Sequence, residues 1–272
     1  MNITIFKEKA IMDIQSNGVR IHVSTAGEGE LALVFLHYWG GSSRSWRYVV
    51  DELADTYATV AADHRGWGES DAPATGYTIA DLADDAQNAI ESLDLKRYVL
   101  VGHSMGGKAA QLLASRRPLG LEALVLIAPS PPSPTLIDDE QRTFMAHAYD
   151  SRESVEFVVD NVLTGDTKLK GAQREQVIED SLRGATQAKT GWLDIAMRED
   201  ITEHVAHIDV PVLVIGGERD QVDRVETLRA ELLPRLADAR LVMLTGVGHL
   251  SPLEAPKEVA ATIRRFISER DG

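Results

Sequence analysis

Ser104 is the residue around which a reaction could be built. It stands between Gly102 and Gly106 in the run VLVGHSMGG, residues 99–107, where a short apolar stretch gives way to a helix-like one. A strand-to-helix turn tight enough to lift a hydroxyl clear of the backbone crowds its neighbours. Glycines two residues before and two after the serine remove the Cβ atoms that would clash. Such a turn, a nucleophile elbow, serves nucleophilic attack, with the backbone N–H of Met105 at the helix start aimed at an oxygen that develops charge. Five residues of this pattern recur in unrelated chains, so a glycine-rich helix entry packed closely on a strand is the competing reading.

A serine hydroxyl is a weak nucleophile until a base takes its proton. Among the eight histidines, His249 lies in the glycine-bearing loop GVGHL, residues 246–250, just after the last strand-like run. A histidine base needs an acid to fix its tautomer, and Asp220 ends the loop GGERD after the preceding strand-like run. Taken alone, Asp220 reads as a turn former; three loops at successive strand ends, in the order serine, acid, histidine, favour chemistry. Asp223 is the rival acid, but it falls where the next helix should begin and reads as its N-cap. A fourth loop, HYWGG at residues 37–41, offers a second backbone N–H for the oxyanion, from Trp39, opposite Met105.

The elements that must carry these loops show in the apolar periodicity. Short apolar runs at residues 31–36, 59–62, 98–101 and 123–127 alternate with helix patterns at 45–53, 79–93 and 105–116, the signature of a parallel sheet covered on both faces. Asn17-Gly18, between strand patterns at 12–15 and 19–24, predicts an antiparallel hairpin ahead of them. Pro129, Pro131, Pro132 and Pro134 then break the pattern, and residues 137–204 carry only helix-like segments. Strand patterns return at 210–215 and 239–244, followed by a helix at 255–267. The chain therefore reads as one α/β core, residues 1–130 and 205–272, carrying a helical cap at 131–204.

At 272 residues, 44% of them apolar, the chain is long enough to bury a substantial core. A formal charge of −14 disfavours nucleic acid and anionic membrane surfaces as partners. With no cysteine, disulfides, thiolate metal sites and a cysteine nucleophile drop out together. No metal or organic cofactor is implied, and no segment reads as a signal peptide or a membrane span, so a cytoplasmic location is the expectation. Nothing in the sequence distinguishes a monomer from a homodimer.

Through HYWGGSSRSW, ADHRGWGESDAP, VGHSMGGKAAQLLA, PVLVIGGERD and GVGHLSPLEAP, the chain resembles the α/β-hydrolase superfamily over almost its full length, and specifically its small cofactor-free serine esterases. The resemblance implies Ser104 as nucleophile, His249 as base, Asp220 as acid, and Trp39 with Met105 as oxyanion donors. It further implies a mostly parallel eight-stranded sheet, helices on both faces and the helical insertion as a lid over the site. The expected activity is hydrolysis of a small, fairly apolar carboxylic ester. Lactone or enol-lactone hydrolysis, carbon–carbon hydrolysis, amide hydrolysis and perhydrolysis use the same triad and stay open. So does a non-enzymatic small-molecule receptor of the same fold. Haloalkane dehalogenases and epoxide hydrolases carry aspartate at the elbow, a route that Ser104 excludes.

One position departs from the family pattern: Tyr38 stands where most relatives have glycine, and a positive φ there would strain it. Tyr38, His103, His147, Trp192 and Leu250 are the candidates for the substrate pocket. His103, next to the nucleophile, is not expected to act as a base. His37, Asp63, His64 and Arg65 read as structural, Trp46 and Trp67 as packing, Lys108 as snorkelling outward, and His204 with His207 as a solvated helix end.

Overall fold

The computed structural model describes residues 9–270. Asn17 and Gly18, at φ 49° and 81°, turn the chain between β1 (Ala10–Ser16) and β2 (Val19–Ala26), as the Asn-Gly pair predicts. Six strands follow: β3 Ala32–Leu36, β4 Ala58–Ala62, β5 Tyr98–His103, β6 Leu121–Ile127, β7 Val212–Gly217 and β8 Ala239–Leu244. They form one eight-stranded sheet in the order β1-β2-β4-β3-β5-β6-β7-β8. β2 is antiparallel to β1 and β4, and every other neighbouring pair is parallel.

Helices α1 (Arg47–Leu53), α2 (Ile79–Ser92) and α3 (Met105–Ser115) alternate with these strands. Between β6 and β7 come α4 (Asp139–His147), α5 (Arg152–Val158), α6 (Gly171–Arg183), α7 (Thr186–Asp194) and the short α8 (Thr202–Val205). β6 and β7 nevertheless pair directly, Leu124 opposite Val212, so this helical insertion leaves the sheet and returns to the adjacent strand. A single turn, α9 (Val225–Thr227), precedes β8, and α10 (Ser251–Glu254) and α11 (Pro256–Ser268) follow it.

Strand β5 shows how the two layers arise. Tyr98 and Leu100 face the cluster containing Leu82 of α2 with Ala109 and Leu113 of α3. Val99 and Val101 face the other cluster, with Val49 of α1 and Val259 and Ile263 of α11. Both faces are buried, which is why the strands read as continuous apolar runs. Helix α11 buries Val259, Ala260, Ile263, Phe266 and Ile267, one stripe at helical spacing. Helix α2 opens on a capping box in which Thr78 and Asp81 satisfy each other's backbone N–H. β5 extends past its apolar run through Gly102 and His103, because its ladder with β6 continues to Leu126 and Ile127. Among the described residues no helix is long and apolar enough to cross a bilayer.

The loop after β4 is fixed by a buried ion pair. Nε and Nη2 of Arg65 donate to the two carboxylate oxygens of Asp85 in α2, each at 2.7 Å, and Ser16 of β1 adds a third hydrogen bond at 2.5 Å. The two side chains are only 4% and 3% exposed. The structural roles read for Arg65 and Asp63 hold: the Asp63 carboxylate accepts the backbone N–H groups of Ser43 and Glu69, joining two loops. Replacing Asp85 with Ala strands a guanidinium in the interior. It is expected to destabilise the fold by about 3–5 kcal/mol, read as a lower midpoint in urea unfolding.

Candidate active site

The turn after β5 places Ser104 at φ 51° and ψ −114°, a conformation that costs a non-glycine residue on the order of 1–3 kcal/mol. Bonds across the turn hold it there: Ser104 N–H donates to Ile127 O at 3.1 Å, and Ser104 O accepts from Ser130 N–H at 3.1 Å. A Cβ on Gly102 would lie 2.5 Å from Gly106 O, and one on Gly106 would lie 2.4 Å from Leu36 O. Both glycines are therefore conditions of the turn.

The loop after β3 faces this turn. His37 donates from Nδ1 to Tyr38 O at 2.7 Å and accepts the His64 N–H at Nε2, 3.0 Å away. Burial lowers its pKa, so the neutral tautomer with the proton on Nδ1 organises the loop. The strain anticipated at Tyr38 does not occur, because Gly40, at φ 98°, takes the positive φ of this loop. The Tyr38 ring packs 5.1 Å from that of His103, with its hydroxyl buried and unpartnered. The backbone N–H groups of Trp39 and Met105 have no hydrogen-bond partner among the described residues, and Met105 begins α3, where the helix presents free donors.

His249 and Asp220 meet at the ends of β8 and β7. His249 Nδ1 lies 2.9 Å from Asp220 Oδ2, and the two side chains are 2% and 1% exposed. The other oxygen of Asp220 accepts the N–H groups of Val222 and Asp223, so this residue is a turn former and a histidine partner at once. Burial is the largest influence on His249 and lowers its pKa, but the charge and hydrogen bond of Asp220, with Asp223 and Glu254, outweigh it and leave the pKa raised. His103 donates from Nε2 to His249 O at 2.8 Å and stays neutral through burial. It thus positions the histidine loop from beneath and takes no part in the cavity wall.

Asp223 overturns its expected role. The helix after it begins at Val225, and its N-cap position, Arg224, makes no side-chain cap. The Asp223 side chain turns inward, where Ser104 Oγ donates to its Oδ2 at 3.3 Å; among the described residues Ser104 Oγ makes no other hydrogen bond. Burial drives the Asp223 carboxyl pKa upward, against the pull of His249. Its only signal in the sequence is a second acid three residues after Asp220. Lys108 is a second correction. It is fully buried in α3, and its ammonium donates to the carbonyls of Ser133, Met197 and Glu199, with burial lowering its pKa to about 8.

Ser104, Asp223 and His249 open onto a cavity of about 270 Å³. Its walls are largely apolar, with Trp39 from the β3 loop and Phe144, Tyr149, Val162, Trp192 and Met197 from the insertion. Tyr38 and Trp192 therefore lie at the cavity as expected. His147 does not: it is exposed and pairs with Asp150 at 2.6 Å, on the wet side of its helix. Leu250 does not either, since it is wholly buried beneath the histidine loop.

The insertion also holds the loops that bear Trp39 and His249, which periodicity did not reveal. Tyr149 donates its hydroxyl to Trp39 O at 3.0 Å, Ser181 donates to Gly40 O at 2.9 Å, and Leu163 O accepts the His249 and Leu250 N–H groups. Glu254 accepts the N–H groups of Gly248 and of Gly165 in the insertion. Trp46 and Trp67 are packing residues as read, and His204 in α8 and His207 in the turn after it are exposed, the solvated helix end expected.

A model of the alpha/beta hydrolase family matches residues 33–262. The chain belongs to that family. This hydrolase is 30% identical over 251 residues to the non-heme chloroperoxidase of Streptomyces lividans, covering 86% of this chain and 91% of the relative. It is 26% identical over 257 residues to the 2-(acetamidomethylene)succinate hydrolase of Mesorhizobium japonicum, covering 92% of each. An esterase from Exiguobacterium antarcticum superposes with a TM-score of 0.86 at 24% identity, covering 94% of this chain and 99% of that one, which is a likeness of fold.

A histidine must be neutral to accept the proton of a serine. Because the His249 pKa stands above its ordinary 6.5, the rate at which a fluorophosphonate labels Ser104 is expected to rise with pH through a midpoint above that value. Asp220→Asn removes the main charge that raises it and should lower the midpoint, measured by labelling rate against pH.

Proposed function

We propose that this alpha/beta hydrolase is a serine hydrolase of small carboxylic esters that carry no negative charge, lactones included, working through an acyl-enzyme on Ser104. The observation that supports this most directly is the convergence on one small cavity of a strained serine, a buried His249–Asp220 pair and two unpaired backbone N–H groups.

In the proposed reaction the Ser104 hydroxyl turns from Asp223 towards His249, gives its proton to Nε2 and attacks the acyl carbon. Asp220, bonded to Nδ1, holds the ring and stabilises the imidazolium without itself taking the proton. The amides of Trp39 and Met105 receive the oxyanion, an effect worth roughly 100-fold to 1000-fold per donor. His249 then gives the proton to the departing alkoxide, and in the second half-reaction it takes one from water, which releases the acid and restores the serine.

The lining bears on the substrate. Among the described residues no lysine or arginine lines the cavity, and its one acid is Asp223. A substrate carboxylate would enter an apolar space without a cation and beside another carboxyl, which burial makes costly. A succinate, such as the one in the name of the Mesorhizobium relative, is therefore disfavoured here, whereas a neutral ester loses little solvation on entry.

Ser104→Ala is expected to lower kcat for p-nitrophenyl acetate by at least ~10³-fold with an unchanged circular dichroism spectrum; full activity in that variant overturns the reading. Monoethyl succinate should be at least ~10-fold poorer in kcat/KM than ethyl butyrate, a difference near 1.4 kcal/mol. Acylation that stops after one equivalent, without turnover, would instead mark a receptor.

A further inference from the structure

The reaction proposed above uses Asp220 and assigns nothing to Asp223, yet Asp223 is the acid that touches the serine. It is 7% exposed and borders the cavity beside Ser104 and His249. Its Oδ2 accepts one long hydrogen bond, from Ser104 Oγ at 3.3 Å, and its Oδ1 accepts none among the described residues. A carboxyl offers about four acceptor sites. This one faces a largely apolar cavity with most of them free of protein partners.

Among the described residues no cation hydrogen-bonds to it; His249, whose charge favours its carboxylate, is bonded to Asp220. Lys108, whose charge bears on Asp223, has its ammonium bound to three backbone carbonyls. The carboxyl is also not there by looseness of the loop, because its own N–H is tied to Asp220 Oδ1 at 3.1 Å. A buried polar group with unspent capacity, held rigidly at the floor of a cavity, calls for a partner that arrives from outside.

We propose that Asp223 is a substrate-recognition residue: it accepts a hydrogen bond from a hydroxyl or ammonium group that the substrate carries within about two atoms of the scissile carbonyl. The position follows from reach. A nucleophile oxygen sits roughly 3–3.5 Å from the carbon it attacks, so a carboxyl oxygen 3.3 Å from Ser104 Oγ meets substituents next to the reacting centre and no remote ones. The same contact occupies the carboxyl in place of the serine and leaves the hydroxyl for His249. The favoured substrates are thus esters with a hydrogen-bond donor on the α-carbon of the acyl part, or on the second carbon of the alcohol part. This inference rests on Ser104 being the nucleophile.

The test uses matched esters that differ only by methylation of the donor: ethyl lactate against ethyl 2-methoxypropanoate for the acyl side, and 2-hydroxyethyl against 2-methoxyethyl propanoate for the alcohol side. In the wild-type protein the hydroxyl member of at least one pair should lead by ~10-fold or more in kcat/KM, one good hydrogen bond to a charged group, and the leading pair identifies the side. Asp223→Val should erase that lead. Asp223→Asn should keep much of it for the hydroxyl while alanine ethyl ester, an ammonium substrate, loses ~10-fold or more relative to ethyl lactate. The wild-type comparison stands even if a variant fails to fold. Equal rates within both pairs in the wild type, or one common factor for all esters in Asp223→Val, would overturn the inference. Ser104→Ala separates the two readings: hydrolysis that survives it removes the nucleophile, whereas its loss together with equal rates removes only the recognition role.

Discussion

The site depends on a serine held in a backbone conformation that a free peptide avoids. Ser104 sits at φ 51°, and the strain is borne by two parallel ladders, β3–β5 and β5–β6, which fix the strand before it, and by α3, which starts immediately after it. Such strain persists only where the surroundings over-determine it. The surroundings here are tight, with Gly102 and Gly106 closing on backbone atoms at distances that no Cβ tolerates. Removing the side chains at those two points is what lets the hydroxyl project and the helix N-terminus lie beneath it.

Around that fixed point the other groups are mobile by nature, being loop residues, and the insertion is what immobilises them. Tyr149 and Ser181 bind carbonyls of the β3 loop, Leu163 accepts two N–H groups of the histidine loop, and Glu254 joins Gly248 to Gly165. The insertion thus does two things at once: it walls the cavity with apolar side chains, and it fixes the Trp39 and His249 loops that face the serine. A change in the insertion that alters cavity shape also acts on the loop that carries Trp39.

Electrostatics divides the three acids near His249 by their surroundings. Asp220 spends one oxygen on the imidazole and the other on two backbone N–H groups. Glu254 is likewise engaged with backbone donors, while Asp223 keeps most of its acceptor capacity. Residues three apart in one loop therefore carry different chemistry, because one carboxylate is solvated by the protein and the other is not.

The sequence by itself determined the family and the frame that carries the candidate site. GHSMGG requires its glycines for a reason of local sterics, and the alternation of apolar runs with helical stripes encodes a sheet covered on both faces, since each residue's burial is written in its own type. The order of Ser104, Asp220 and His249 at strand ends was legible for the same reason. What only the tertiary structure decided was where loop side chains turn and what they meet. Asp223 reads as a cap and points at the serine, Lys108 reads as solvated and is buried, and His147, which the sequence leaves open between pocket and solvent, is wet. Tyr149 finds Trp39 across 110 residues. Periodicity records whether a residue in a regular element is buried; it carries no record of direction in a loop, which is set by partners far away along the chain.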